Sequence, residues 1–440
     1  MLVLVGTALA TRFAWYAALA SRQPQWDEFE YLAHAVNLAD GKGYIDSAGQ
    51  PTAYWPVGYP AVLAASVLLV GRGPLTGMLL QVLLGTATCV LVSHIGTSAL
   101  GVRVGRVAAL FLAVYPTHVA YASLYLTEPL FTLLLTASAA LLLNGLARST
   151  ASTAWGGLVI GLAALVRPVV LLLPLALPLW YWRRQFHWGR VLARTLIAGA
   201  CTLLAVSPWL ARNHAVTGDW TTITVNGGHN FWIGNRPGAL GGYPRPEEFD
   251  EINEPLRTGS HYNFARGYPL GLAAIAAAPL SAGVRALQKV SYFFALETDG
   301  VLWNLKGLAT PPSLAVTLAL LGLANAAYLL MLSFAVLGLM GTPRRHPLAS
   351  LFLVLTGYLV ALSAAFIGDP RFHYALVPLA MIFTAKGWLE DWPVLWRGAR
   401  RNEPGARRRL LAWGTIGLVF LALMVANLWL KAIEFGVLGS

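Results

Sequence analysis

Apolar stretches of about twenty residues recur along this chain, at 76–98, 103–122, 129–147, 189–210, 313–340, 348–367, 372–389 and 410–430. Each is long enough to cross the ~30 Å hydrocarbon layer of a bilayer as a helix. The residue balance leaves little alternative, since 57% of the chain is hydrophobic and only 11% is charged. Too few charged groups remain to cover a water-facing surface of ordinary size. Residues 1–20 form a further apolar run. It carries Arg12 and lacks the charged start and small-residue cleavage site of a secretory signal, so it reads as a retained first span.

The formal charge of +12 does not imply nucleic acid binding here. In a membrane protein a basic surplus holds short loops on the cytoplasmic side. Arg103 and Arg106 share one short loop, Arg183, Arg184, Arg190 and Arg194 a second, and Arg344 and Arg345 a third; six arginines lie between Arg397 and Arg409. Placing all four loops inside constrains the path. Segment 57–71 is short for a span and reads as an interfacial or re-entrant helix, whereas 155–182 reads as a hairpin of two helices turning at Arg167-Pro168. The expected fold is an all-α integral membrane bundle of about eleven transmembrane helices, forming a single domain over 1–440. Large outer loops at 22–75 and 211–311 carry interfacial helices. Those two loops hold thirteen of the 19 acidic residues, including Asp219 in the second. Cys89 and Cys201 lie within apolar runs and read as small packing residues.

The densest polar constellation is Trp26-Asp27-Glu28-Phe29-Glu30-Tyr31 directly after the first span. A carboxylate there can act as a general base on a hydroxyl. Equally, Asp27 and Glu28 can do no more than favour the start of a helix from about residue 28 to 40. Glu128, in Tyr125-Leu-Thr-Glu-Pro-Leu-Phe131, shares the expected outer face; the plainer reading has Thr127 or Glu128 capping a helix that begins at Pro129. Arg167 and Arg371 each stand at an outer helix end beside a proline and can grip a phosphate through two parallel donors. Alternatively they snorkel to headgroups, or Arg371 pairs with Asp369. Lys289 and Lys306 are weaker candidates of the same kind. Histidines 118, 229, 261 and 373 lack zinc-helix spacing. A divalent metal stays an open option, with Glu128 and His118 as candidate ligands. No phosphate-cradling glycine loop and no serine-nucleophile elbow occurs.

Several motifs in order carry a resemblance. They are Trp26-Asp27-Glu28, Gly41-Lys-Gly-Tyr44 with Pro51-Thr-Ala-Tyr-Trp-Pro-Val-Gly-Tyr-Pro60, Thr127-Glu128-Pro-Leu-Phe131, Arg167-Pro168, Asn226-Gly-Gly-His-Asn-Phe-Trp-Ile-Gly-Asn235, and Arg371-Phe-His-Tyr374 continuing to Pro378. Together they resemble the GT-C superfamily of membrane glycosyltransferases, in the bacterial branch akin to dolichyl-phosphate-mannose protein mannosyltransferases and lipid A aminoarabinose transferases. The resemblance implies a polyprenyl-phosphate-linked sugar as donor, a lipid, glycan or protein acceptor, and inversion at the anomeric carbon. It implies Asp27 as catalytic base, Glu28 and Glu128 as further catalytic acids, and Arg167, Arg371 and Lys289 on the donor phosphate. Tyr54, Tyr59, Asn226, Asn230, Trp232, Asn235 and His373 become candidates for holding sugar or acceptor. The site would face the periplasm or exterior of the cell membrane. The main rival reading, a transporter or flippase of a lipid-linked or small polar substrate, expects ionisable groups near mid-membrane, where this sequence has almost none; a surface-glycan polymerase or ligase, the other alternative, would differ in acceptor more than in site.

Overall fold

The apolar runs fold into helices, the form that satisfies every backbone donor and acceptor without water. This computed structural model describes all residues except 47, 148, 183–186, 219–221, 259–260 and 435–440. Expectations resting on Arg183, Arg184 and Asp219 lie outside the described residues. In chain order, α1 (Leu2–Ala18) leads to α2 (Asp27–Ala39), α3 (Gly58–Val70), α4 (Pro74–Leu100) and α5 (Val102–Val114). Pro116 forces a break before the short α6 (Pro116–Ala120), and α7 (Glu128–Ala147) follows. Helix α8 (Thr150–Val166) ends at Arg167-Pro168, and the next stretch runs through two 3₁₀ turns into α9 (Leu177–Trp182) and then α10 (Trp188–Thr217).

The segment expected as a long loop at 211–311 carries helices of its own after the end of α10. These are α11 (Asn226–Asn235), α12 (Phe249–Asn253), α13 (Gly267–Ala277), α14 (Pro279–Phe293) and α15 (Asp299–Lys306). A two-residue ribbon pairs Arg257 with Tyr262 and Thr258 with His261 in antiparallel register. The C-terminal part comprises α16 (Leu314–Met340), α17 (Pro347–Ala365), a 3₁₀ turn at Pro370–Leu376, α18 (Val377–Lys386), α19 (Trp392–Arg400) and α20 (Pro404–Glu434).

Among the described residues, six helices are long and apolar enough to cross a membrane: Leu75–Leu100, Glu128–Gly145, Trp188–Thr217, Leu314–Met340, Pro347–Ala365 and Pro404–Lys431. The pair Phe264–Ala277 and Pro279–Phe293, bent by 116°, would make a seventh if it crossed as one. By this measure the expected count of about eleven is not reached. The reason lies in length and in proline. Helices α1 and α8 have 17 residues and α5 has 13, while 168–182 is interrupted at Pro168 and Pro174.

One continuous apolar core joins α1, α4, α5, α7, α8 and α18. Arg12 is fully buried within it. Its guanidinium donates to the carbonyls of Ala8 at 2.8 Å and Ala113 at 3.2 Å and lies 3.7 Å from Cys89 Sγ. Gly85 makes this fit, since a Cβ there would sit 2.6 Å from Arg12 Nε. Both cysteines are free.

A second close approach fixes α11 to the end of α17: a Cβ on Gly234 would meet the Phe366 carbonyl oxygen at 1.8 Å. Gly234→Ala is therefore expected to destabilise the protein by roughly 1–3 kcal/mol through overpacking. A lowered thermal midpoint in detergent micelles is the readout.

Candidate active site

At one end of the bundle, four separate helix ends deliver charged side chains to one place. Asp27 opens α2, Glu128 opens α7, Arg167 caps α8, and Arg371 lies in the 3₁₀ turn after α17. Each is positioned by a local break in helix. Proline follows Glu128 and Arg167 directly, and Asp369-Pro370 starts the turn that bears Arg371.

Arg371 is the hub. Its Nη1 lies 3.7 Å from Asp27 Oδ2 and 3.9 Å from Glu128 Oε1, and its Nε lies 3.2 Å from Asp369 Oδ1. Asp369 also accepts from the Arg371 backbone N–H at 2.7 Å, which orients the guanidinium from behind. Arg167 Nη1 approaches Glu128 Oε1 at 3.3 Å, and its guanidinium lies over the rings of Phe131 and Phe372. Two cations thus face three carboxylates, a ratio that keeps the cluster from carrying surplus positive charge.

Burial opposes the charge of Arg371, but Asp369, Glu128, Asp27 and Asp299 outweigh it and hold the guanidinium firmly protonated. Burial raises the Asp27 carboxyl above its ordinary range; Arg371 pulls it back down and Glu128 pushes it up again. Asp27 is nonetheless the most open acid of the cluster, with a third of its side chain exposed, against 2% for Glu128. Glu128 Oε1 is buried and makes no hydrogen bond of its own beyond these cation contacts. An open carboxylate beside a sheltered one, bridged by an arginine, can accept a proton and steady an anion in the same space.

The remaining candidates divide. Glu28 turns away: it is fully buried and ion-paired with Arg22, and it accepts from the backbone N–H groups of Gln25 and Tyr125. It ties the loop to the bundle instead of facing the open carboxylate. Lys289 Nζ donates to Asn235 Oδ1 at 2.8 Å and to the Ala365 carbonyl at 3.3 Å, so it staples α14 to α11 and α17. Asn235 reaches the same carbonyl. Trp232 donates to the Ile252 carbonyl, and Asn226 accepts from Thr224. Tyr59 is buried and accepts from Gln81. Tyr54 donates to His229 Nδ1 at 3.3 Å, and burial, reinforced by Asp27 and Glu30, pushes its phenol up to about 12. Asn230 is held by Tyr243, whose phenol is buried in the field of Arg371 and Asp369.

His373 bonds to the Phe293 carbonyl and to Glu297 at 3.1 Å. Glu297 in turn accepts from Tyr115 and Thr117. This buried network anchors the turn bearing Arg371 and was not legible in the sequence, where Glu297 is one acid among many in a long loop. His118 is engaged by Tyr374 and the Gly85 carbonyl. Among the described residues no three His, Cys, Asp or Glu side chains converge as metal ligands. The space between Asp27 and Glu128 holds the Arg371 guanidinium instead.

No protein-family model and no curated protein sequence matches the chain. Solved structures do. The apo oligosaccharyltransferase of Archaeoglobus fulgidus superposes with a TM-score of 0.52 at 12% identity, over 98% of this chain and 56% of that one. The oligosaccharyltransferase AglB from the same organism, in complex with an inhibitory peptide and a dolichol-phosphate, gives 0.50 at 13%, over 98% and 55%. This chain thus spans about half the length of that protein. ArnT from Cupriavidus metallidurans bound to undecaprenyl phosphate gives 0.45 at 16%, over 91% and 79%. At these identities the likeness is one of fold alone, and the fold shared is that of the Archaeoglobus fulgidus oligosaccharyltransferase.

The division of roles between adjacent acids is testable by stability alone. Glu28→Gln leaves Arg22 without its buried partner and is expected to cost about 3–5 kcal/mol. Asp27→Asn removes a carboxylate whose charge burial disfavours, and should leave the thermal midpoint unchanged or higher.

Proposed function

We propose that this protein is an inverting glycosyltransferase that moves a sugar from a polyprenyl-phosphate carrier to an acceptor hydroxyl at the outer face of the membrane. The observation that carries this reading is the placing of Arg371 between the partly exposed Asp27 and the buried Glu128, with Arg167 on the far side. A base and two phosphate-binding cations then lie side by side around one reacting centre.

In this scheme Asp27 takes the proton of the acceptor hydroxyl while the oxygen attacks the anomeric carbon. The bond from that carbon to the carrier phosphate breaks on the opposite face, so the anomeric configuration inverts. Negative charge grows on the departing phosphate, and Arg167 and Arg371, already fixed in place, lower the barrier for it. Glu128 offsets those cations in the resting enzyme.

An apolar groove supports a lipid donor. It encloses about 700 Å³ between the 172–182 stretch and α17, lined by Leu172, Leu175, Leu179, Trp182, Leu353 and Tyr358. Its head lies beside Arg167, because the Tyr358 hydroxyl donates to the Val169 carbonyl at 2.6 Å. An isoprenoid in the groove would bring its phosphate to Arg167. The crowding of ionisable groups at one end of the bundle, away from its middle, supports an enzyme over a transporter. The acidic first and long loops, opposed by arginine-rich short loops, support an outward-facing site.

Asp27→Asn should lower transfer from radiolabelled polyprenyl-phosphate sugars by about 10²–10⁴-fold; unchanged transfer would refute the assignment. Because burial lifts Asp27, the acid limb of kcat/KM should lie above the ~4 of an ordinary aspartate. Glu128 adds to that lift, so in Glu128→Gln the limb should move to lower pH; movement upward would contradict the geometry.

A further inference from the structure

We infer that Trp26, standing on Trp303, forms a stacking platform for a pyranose ring of the acceptor, so that the hydroxyl delivered to Asp27 belongs to a glycan or glycolipid and not to a peptide. The inference deepens the reading above and rests on it.

Trp26 precedes Asp27 and has backbone angles φ 44° and ψ −114°. A side chain with a Cβ rarely adopts this conformation, and such strain persists only where its surroundings enforce it, commonly at functional sites. Here the enforcement is visible. The Gln23 backbone N–H donates to the Gly307 carbonyl at 2.9 Å, Arg22 reaches the Trp303 carbonyl, and Phe29 N–H donates to the Trp26 carbonyl at 3.0 Å. The 22–27 segment is thereby clamped between α15 and the first turn of α2. A relaxed backbone at residue 26 would carry the indole off α15.

The indole that this strain presents is not in the core. Trp26 is 48% exposed, although it meets Trp303 edge to face with centroids 5.1 Å apart. Trp303 in turn carries the Arg371 guanidinium over its ring at 5.5 Å, and Lys306 Nζ lies over the Trp26 ring, 4.9 Å from its centroid. The order is therefore lysine, exposed tryptophan, half-buried tryptophan, catalytic-site arginine. A half-exposed indole, with Lys306 over one side of its ring, next to a partly open carboxylate matches a pyranose, whose axial C–H bonds pack on an aromatic ring while a ring hydroxyl points sideways to a base. A serine or threonine side chain offers no such face. Phe29 is also exposed, at 55%, but it does not contact Trp303 or the cations, so it serves as an internal comparison.

The strained backbone supplies an unusual variant. Glycine accepts positive φ without penalty, so Trp26→Gly should keep or raise the thermal midpoint while removing the platform. In the full-length protein, saturation-transfer NMR with methyl pyranosides of glucose, mannose and galactose should show transfer to at least one sugar. That signal should be lost in Trp26→Gly, largely restored in Trp26→Phe and unchanged in Phe29→Ala. With a sugar acceptor and a polyprenyl-phosphate donor, Trp26→Gly should raise the acceptor KM about tenfold or more, with donor KM and kcat within about twofold. Equal sugar signals in wild type and Trp26→Gly would overturn the inference. So would equal losses in Phe29→Ala, which would mark both aromatics as membrane anchors, or saturation by a Ser/Thr peptide alone. The binding arm needs no turnover, so failure of wild type to transfer any sugar would strike the proposed function separately.

Discussion

Everything at the charged end of this bundle depends on keeping Arg371 ionised, buried and shared. A guanidinium taken out of water is tolerated only when carboxylates surround it at close range, and three helix ends supply them: Asp27, Glu128 and Asp369. The same arrangement leaves the cluster reactive. Asp27 feels burial and Glu128 on one side and Arg371 on the other, so its affinity for a proton is set by neighbours that would also contact substrate.

The helices around the cluster act as a frame whose breaks matter more than its spans. Prolines after Arg167, Asp369 and Glu128 stop or start helices at the level where the charged side chains meet. Behind the frame, the Glu297, His373, Tyr115 and Thr117 network holds the Arg371 turn, and Glu28 with Arg22 holds the Asp27 turn. These supports place two opposite charges on separate chain segments within contact distance.

Much of this was legible from residue pattern. The apolar runs announced a helical membrane bundle, and carboxylates and arginines beside prolines marked Asp27, Glu128, Arg167 and Arg371, which the fold brings together. Span count was less legible because apolarity reports burial in protein and in lipid alike. Helix α5, for instance, buries one face in the protein core and is only 13 residues long. Glu28 was indistinguishable from Asp27 in sequence, since one helical position separates a residue facing the cluster from one facing Arg22. Trp303 and Glu297 gave no local signal; their roles arise from contacts across more than a hundred residues.

The central claim is that Arg167 and Arg371 receive a lipid-linked phosphate while Asp27 waits beside it. Equilibrium binding of a polyprenyl monophosphate to the purified protein tests it most directly. The account expects affinity to fall about ten- to a hundredfold in both Arg167→Gln and Arg371→Gln, the loss of a charge-assisted contact, and to hold or improve in Asp27→Asn, where a repelling charge is gone. Undiminished binding in the two arginine variants, or binding that requires Asp27, would contradict it.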